Sequence, residues 1–353
     1  MKVLVIRFSS IGDIILTTPV LRCLKQQHPD ISVHYLTKKV FGSLLENNPY
    51  IDKLHYLQDD LDAVITELRV EKFDYIADLH NNLRTLRVRK ALGVRNYSFP
   101  KLNVQKWLLT NLKIDLMPDV SIVERYLETV KPLQVRNDNK GLDYFLPPGQ
   151  KIGNSDIPMS HWGGFVGCVI GGSYQTKKLP VEQWQKFCEL VAYPVLLLGG
   201  PEDQTEGDEI AAVDHVKVYN SCGKFNINES AELVKHARVV VTNDTGLMHV
   251  AAAFGRPVVS LWGNTSPEMG MFPYYGGNAL KNHISPLSVI VENKKLSCHP
   301  CSKIGYKKCP RGHFKCMKDL DMHDVADAVA RFWVSPDRGS DGTHGHSISG
   351  GLN

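Results

Sequence analysis

The sequence has no long apolar run. Stretches such as residues 195–198 fall far short of the ~20 residues that cross a bilayer as a helix, so a helical membrane protein is excluded. The opening residues 1–7 are interrupted by Arg7 and then by polar residues, unlike a secretory signal peptide. These two absences give the expectation of a cytoplasmic protein. Charge of one sign is also scarce: 41 Lys+Arg stand against 37 Asp+Glu, a net +4. Such an excess makes no case for nucleic acid. It is compatible with an anionic substrate or a loose association with anionic lipid head groups. With 43% hydrophobic and 22% charged residues, the chain is ordinary for a globular protein and is not collagen-like, coiled-coil or wholly disordered. Its 353 residues suggest about two domains, each able to bury a core without disulfides or structural metals.

What is present is a near-continuous alternation of strand-like and helix-like segments. In the first half, strands are expected at residues 2–7, 31–36, 53–57 and 73–79. Helices are expected from the Ser-Ser-Ile-Gly loop to about Gln27, then at 61–70, 83–92, 104–111 and 122–130. Residues 136–160 turn rich in Asn, Asp, Gly, Lys and Pro and read as a linker, with a strand near 142–146 at its edge. A second alternating series then runs from a strand at 165–170 to a strand at 257–261. Strands separated by helices imply βαβ units and parallel sheets. The expected architecture is α/β, with two doubly wound halves over residues 1–150 and 160–320 and a cleft between the carboxyl ends of their strands. A closing helix is expected at 321–335, and residues 336–353, rich in Gly, Ser and His, read as a disordered tail.

The most informative segment is residues 239–263, which reads as strand, tight polar loop, small-residue helix, glycine stop and strand. The loop Asn243-Asp244-Thr245-Gly246 stands at a helix N-terminus, where free N–H groups and the positive dipole end suit a phosphate. Asp244 and Thr245 are candidate caps for that helix. His249 lies one turn in, facing the same end as Thr245, and is read either as a structural histidine or as a donor contact. Residues 171–180 form a Gly-Gly-Ser loop carrying Lys177 and Lys178. Gly199-Gly200 follows the apolar run at 195–198, where a backbone without Cβ lets a ligand approach.

Together with the opening Ile6-Arg7-Phe8-Ser9-Ser10-Ile11-Gly12-Asp13, these segments resemble the lipopolysaccharide heptosyltransferases of glycosyltransferase family 9. The resemblance spans residues 1 to about 320. It implies the GT-B fold, two facing Rossmann-like domains with acceptor bound mainly by the first and nucleotide-sugar by the second. It also implies inverting, metal-independent transfer of heptose from ADP-heptose to the lipopolysaccharide inner core, with no cofactor. On this reading Asp13 takes the proton of the attacking hydroxyl; the residues alone favour a helix-start carboxylate held by the dipole. Lys177 matches the lysine that meets the leaving diphosphate, with Lys178 as second choice. The expected donor-side residues are Ser173, Lys178, Gly199, Gly200, Asp244, Thr245, Gly246 and His249; Glu202 or Asp203 would reach the ribose. Ser10, Gly12, Asn81 and Arg84 fall on the acceptor side, where a basic helix start suits a carboxylate or phosphate. The implied acceptor is a lipid-anchored anionic oligosaccharide, consistent with peripheral contact at the inner membrane.

Cys23, Cys168, Cys188 and Cys222 are scattered and read as small buried hydrophobes. Cys298, Cys301, Cys309 and Cys316 are clustered. With His299 and His313 they offer enough ligands for a structural zinc, an alternative the spacing leaves open; no catalytic metal is expected. Two other functions remain: a GT-B enzyme using another nucleotide sugar, such as a sugar-nucleotide epimerase, and a non-catalytic glycan- or nucleotide-binding paralogue.

Overall fold

The computed structural model describes residues 1–153 and 155–334. The tail expected at 336–353 lies outside the described residues.

The first half contains β1 (Lys2–Ile6), β2 (Ser32–Lys38), β3 (Lys53–Leu57), β4 (Tyr75–Asp78) and β5 (Arg95–Ser98). They form one parallel sheet in the order β3-β2-β1-β4-β5. Helices α1 (Ile11–Ile15), α2 (Thr18–Gln27), α3 (Leu61–Val70), α4 (Leu83–Leu92), α5 (Asn103–Trp107) and α6 (Ile122–Leu127) accompany it. Four of the five β1 residues are fully buried, as expected of a strand covered on both faces. Asp60 caps α3 by accepting from the N–H groups of Asp62 and Ala63. Asn82 and Thr85 cap α4 reciprocally, and Gly93 at φ 66° ends it.

The second half contains β6 (Val166–Val169), β7 (Val195–Leu198), β8 (Val218–Asn220), β9 (Val239–Asn243), β10 (Val258–Trp262) and β11 (Ser288–Glu292). These too are parallel, in the order β11-β10-β9-β6-β7-β8. Its helices are α7 (Val181–Leu190), α8 (Gln204–Ala211), α9 (Ile227–His236), α10 (Gly246–Ala253), α11 (Lys315–Lys318) and α12 (Met322–Val334). Helix α12 buries Met322, Val325, Ala328 and Val329 in the same core as Trp184 and Phe187 of α7. The closing helix therefore belongs to the second half.

The structure corrects the sequence reading in four places. The first helix is two, α1 and α2. Thr17 donates its hydroxyl to the Ile14 carbonyl at 2.7 Å, and Pro19 sits in the first turn of α2, where it lacks an N–H to continue α1. Residues 142–146 form no strand; the segment is pinned by Arg22, which donates to Asp138 at 2.8 and 2.9 Å and to the Gly141 carbonyl at 2.8 Å, and also pairs with Asp143. Strands β5 and β11 were not foreseen. Each is an edge strand, and the Arg-Asn-Tyr-Ser of β5 is mostly exposed, so it has no apolar alternation to betray it.

In each sheet the direction of strand addition reverses once, between β1 and β4 and between β6 and β9. Crevices for ligands open at the carboxyl ends of strands flanking such reversals. The segments leaving β1, β4, β6 and β9 are those that carry the candidate residues. Helix α1 packs directly on α10, so the two halves meet at these ends.

Candidate active site

Asp13 lies in the first turn of α1. Its Oδ1 pairs with Nη2 of Arg7 at 2.6 Å, and its side chain remains 20% exposed. Oδ2 accepts from the Ser10 amide at 3.0 Å and the Ser10 hydroxyl at 2.9 Å. Burial pushes the carboxyl pKa up, but the Arg7 charge and the Ser10 hydrogen bonds outweigh it and hold it below the ordinary aspartate value. Asp13 is thus an oriented carboxylate, ionised at neutral pH. Arg7 is in turn fixed by donating to the carbonyls of Ser9 and Leu79. The sequence offered Arg7 as a charge ending a strand and as a member of the opening segment, without a role; its place as the partner of Asp13 needed the fold.

Against α1 stands the start of α10. A Cβ on Gly246 would lie 2.7 Å from Cβ of Ile11, so only glycine fits there. Thr245 is the N-cap in extended conformation, but its side chain caps no amide; its hydroxyl is 3.2 Å from that of Thr242. Asp244 does not cap either, contrary to the sequence reading. Its carboxylate pairs with Lys177 at 2.6 Å and accepts from the Thr265 hydroxyl at 2.9 Å. Among the described residues, no side chain therefore caps the amides at the head of α10. His249 is buried, and its Nδ1 has no partner among the described residues. Burial pushes its pKa down to about 4, against the pull of Asp244 and Asp13, so the ring is neutral.

The two neighbouring lysines have opposite fates. Lys177 reaches Asp244 beside the α10 terminus. Lys178 turns inward, is 6% exposed, and pairs with Asp203 at 2.8 Å and with Glu206. The structure thus sets the Lys178 ammonium against two carboxylates of its own domain, whereas Lys177 stands at the α10 end. Asp203 is 2% exposed and also accepts from the Gly200 amide at 2.9 Å. The space a Cβ would fill on Gly199 is held by Asp203 Cβ at 2.8 Å and Cys222 Sγ at 2.9 Å. That glycine admits a carboxylate of its own domain. A Cβ on Gly200 would meet Glu202. Ser173 is exposed in the loop after β6. Asn243, which the sequence places in this loop without a role of its own, organises the region: its amide donates to the carbonyls of Ile170 at 3.1 Å and Val169 at 3.3 Å, and its oxygen accepts from the Leu179 amide at 3.1 Å.

On the acceptor side, Asn81 adopts φ 51° and ties the β4 turn together, donating to the Phe99 carbonyl at 3.1 Å. Arg84 is exposed, its guanidinium 5.8 Å from the Phe8 ring centroid. Further cations surround Asp13 that the sequence had not singled out. Burial, with Arg125 nearby, pushes the Lys106 ammonium down to about 8, although Asp13 opposes this; Lys303 and Lys101 add to the fall. Burial likewise pushes Arg125 down to about 10. Its Nη2 donates to the Met269 carbonyl at 2.6 Å, while Nε and Nη1 are buried with no hydrogen-bond partner among the described residues. Lys106 and Arg125 thus form a partly desolvated pair of like charges, which an anion would relieve.

Of the clustered metal-ligand types, Cys298 Sγ lies 3.6 Å from His313 Nε2. His299 is used otherwise, through Gly263 O at 2.8 Å and Glu292 at 3.1 Å. Among the described residues, the side chains whose ligand atoms converge within 4.8 Å are His34, His55 and Glu71. There the two rings bond each other at 2.9 Å, and Glu71 is held by Lys2 and Lys53.

The family model of glycosyltransferase family 9 (heptosyltransferase) matches residues 62–308. The chain is 27% identical over 306 residues to the lipooligosaccharide heptosyltransferase 2 of Haemophilus influenzae, covering 76% of this chain and 85% of that one. It is 24% identical to the lipopolysaccharide heptosyltransferase 1 of Campylobacter coli, covering 93% and 98%. Among solved structures, the Escherichia coli ADP-heptose lps heptosyltransferase II superposes with a TM-score of 0.67 at 19% identity, covering 94% and 98%. The Escherichia coli heptosyltransferase WaaC with ADP superposes with a TM-score of 0.65 at 18% identity, covering 94% and 100%. The two facing doubly wound halves are thus the GT-B architecture. With the model of the family spanning well over half its length, this chain belongs to the heptosyltransferases of glycosyltransferase family 9.

Proposed function

We propose that the protein transfers heptose from ADP-heptose, with inversion, to an anionic inner-core sugar of a lipid-anchored acceptor at the cytoplasmic face of the membrane. The observation that carries this reading is the meeting of α1 and α10: it sets the carboxylate of Asp13 in the first half against the unoccupied amides of the second.

In the proposed reaction the acceptor hydroxyl attacks the anomeric carbon as its proton passes to Asp13. The bond between that carbon and the diphosphate oxygen breaks, and charge grows on the departing phosphate. The α10 amides receive that charge through their N–H groups. The Lys177 ammonium, which has three donors and turns two to Asp244, one to the carboxylate at 2.6 Å and one to the carbonyl at 3.5 Å, supplies a second fixed positive site. The depressed pKa makes Asp13 a weak base but keeps it ionised, and Arg7 and Ser10 fix its position. Neutral His249 fills the corner between Gly12 and the α10 start. Lys106 and Arg125 supply the charge that an anionic acceptor answers. Relatives named for lipopolysaccharide and lipooligosaccharide, and a structural relative solved with ADP, support the choice of acceptor and nucleotide.

The test is donor selectivity. Purified protein is titrated calorimetrically with ADP-heptose and with UDP-sugars, and turnover is followed on inner-core acceptor stripped of its fatty acyl chains. Binding and turnover with ADP-heptose are expected; preference for a UDP-sugar would overturn the reading.

A further inference from the structure

The segment after β5 buries little of its apolar side-chain surface. Helix α5 continues into a π-helical turn at Leu108–Leu112. Its inner face packs Leu109 with Leu102, Met117 and Met269. Its outer face leaves Val104 69%, Trp107 55% and Leu112 53% exposed, and the chain beyond adds Ile114 at 47% and Leu116 at 60%. Five large apolar side chains exposed within thirteen residues make a patch of the kind that marks an interaction site.

A second segment borders it. From residue 294 to residue 318 the chain carries no Asp or Glu. Within this stretch Lys303, Lys307, Lys308 and Arg311 are exposed, together with Ile304 and Tyr306. The two segments are joined: Lys113 donates to the carbonyls of Cys298 at 3.1 Å and Pro300 at 2.6 Å, and lies within electrostatic range of Arg311. The adjoining position on α5, Lys106, is within range of both Lys303 and Asp13. The apolar patch and its basic border therefore adjoin the acceptor side of the cleft.

We propose that residues 104–116 and 303–311 form the surface by which the protein docks on an anionic bilayer. Trp107, Leu112 and Ile114 enter the head-group region, and Lys307, Lys308 and Arg311 meet lipid phosphates. Apolar residues with an interfacial tryptophan and a flanking basic cluster are the combination that binds a membrane surface reversibly. The charge selects this occupant: Asp115, the acidic residue within 104–116, is paired with Lys281 at 2.7 Å, and the border, free of acidic residues from 294 to 318, repels a basic protein partner and is complementary to an anionic lipid surface. The inference rests on the proposed lipid-anchored acceptor. Docking through this face brings the cleft to that acceptor while its acyl chains stay in the bilayer.

The experiment uses the full chain in co-sedimentation with phosphatidylcholine vesicles, with and without roughly one-third phosphatidylglycerol. Binding is expected only to the anionic vesicles and is released by salt. The triple variant Trp107→Ser, Leu112→Ser, Ile114→Ser should bind about tenfold more weakly. It should turn over deacylated acceptor as the unaltered protein does, and lose activity only on acceptor presented in vesicles. A charge variant, Lys307→Glu with Lys308→Glu, should lose the preference for anionic vesicles; it decides the matter if the triple variant fails to fold. Unaltered protein left in the supernatant with anionic vesicles, or both variants sedimenting like it, overturns the docking surface. If unaltered protein binds vesicles but does not use deacylated acceptor, the proposed function falls and the docking surface stands.

Discussion

A Cβ on Gly12 would stand 3.3 Å from Cα of Gly246 and 2.7 Å from Cδ2 of His249; the two glycines meet where the two halves of the protein touch. No side chain can be added at Gly12 without moving α1 off α10. Gly12→Ala is expected to cost about 1–3 kcal/mol as an overpacked contact. It should also lower turnover by separating Asp13 from the α10 start. Thermal unfolding together with kcat measures both, and an alanine variant as active and as stable as the parent would show that the contact yields freely.

Asp13→Asn should leave ADP binding nearly unchanged and reduce kcat by the ~10²–10⁴-fold expected of a lost general base. Arg7→Gln tests the electrostatics separately. With the guanidinium gone, only the Ser10 hydrogen bonds offset burial and the Asp13 pKa rises. The acid limb of the kcat profile should move to higher pH, because the carboxylate must be ionised to accept a proton. An unmoved limb would remove Arg7 as the group that sets it.

The adjacent lysines should separate cleanly. Lys177→Ala should weaken nucleotide-sugar binding and slow the chemistry with little loss of stability. Lys178→Ala leaves Asp203, 3% exposed in its side chain, as an uncompensated buried carboxylate, at a cost of about 3 kcal/mol or more. Chemical denaturation and donor titration of both variants give the comparison; the reverse pattern would exchange their roles.

Two buried histidines give the protein a predictable acid sensitivity. His34 is pushed down to about 4 by burial, with His55 and two lysines adding to the effect; His249 is pushed down to about 4 by burial. Each titrates near 6.5 when unfolded, so the unfolded chain binds more protons between these values. The stability they contribute is complete above about pH 6.5 and is lost progressively as pH falls toward 4, up to roughly 3 kcal/mol each. Denaturation midpoints measured across this window should fall toward acid. Replacing His34 with Gln should flatten the slope.

The alternation of apolar strands with helices was enough to place most elements, because strands covered on both faces read as short apolar runs between turn residues. Helices α3 and α4 have the expected ends, since Asp60, Asn82 and Gly93 are local signals. Edge strand β5 escaped because burial on two faces is what writes that pattern, and its Arg-Asn-Tyr-Ser is mostly exposed; β11 carries only the three apolar residues Val289-Ile290-Val291, which pairing with β10 makes a strand. The sites divide in the same way. Asp13, Lys177 and the α10 loop were visible as residue types in order along the chain.

Which charges are available there is a matter of three-dimensional pairing. Lys177 and Lys178 are adjacent and chemically identical, yet one meets Asp244 and the other Asp203. Lys106 and Arg125 carry no motif, Arg7 has no stated role in the opening segment, and all three gain their significance from what the folded chain places beside them. The sequence by itself determined the two α/β halves and the loops that end their strands, because hydrophobic period, caps and turn residues act over a few positions. The tertiary structure alone decided which of those loops touch and which ionised groups remain unspent, because burial and charge pairing depend on distances through space between residues far apart in the chain.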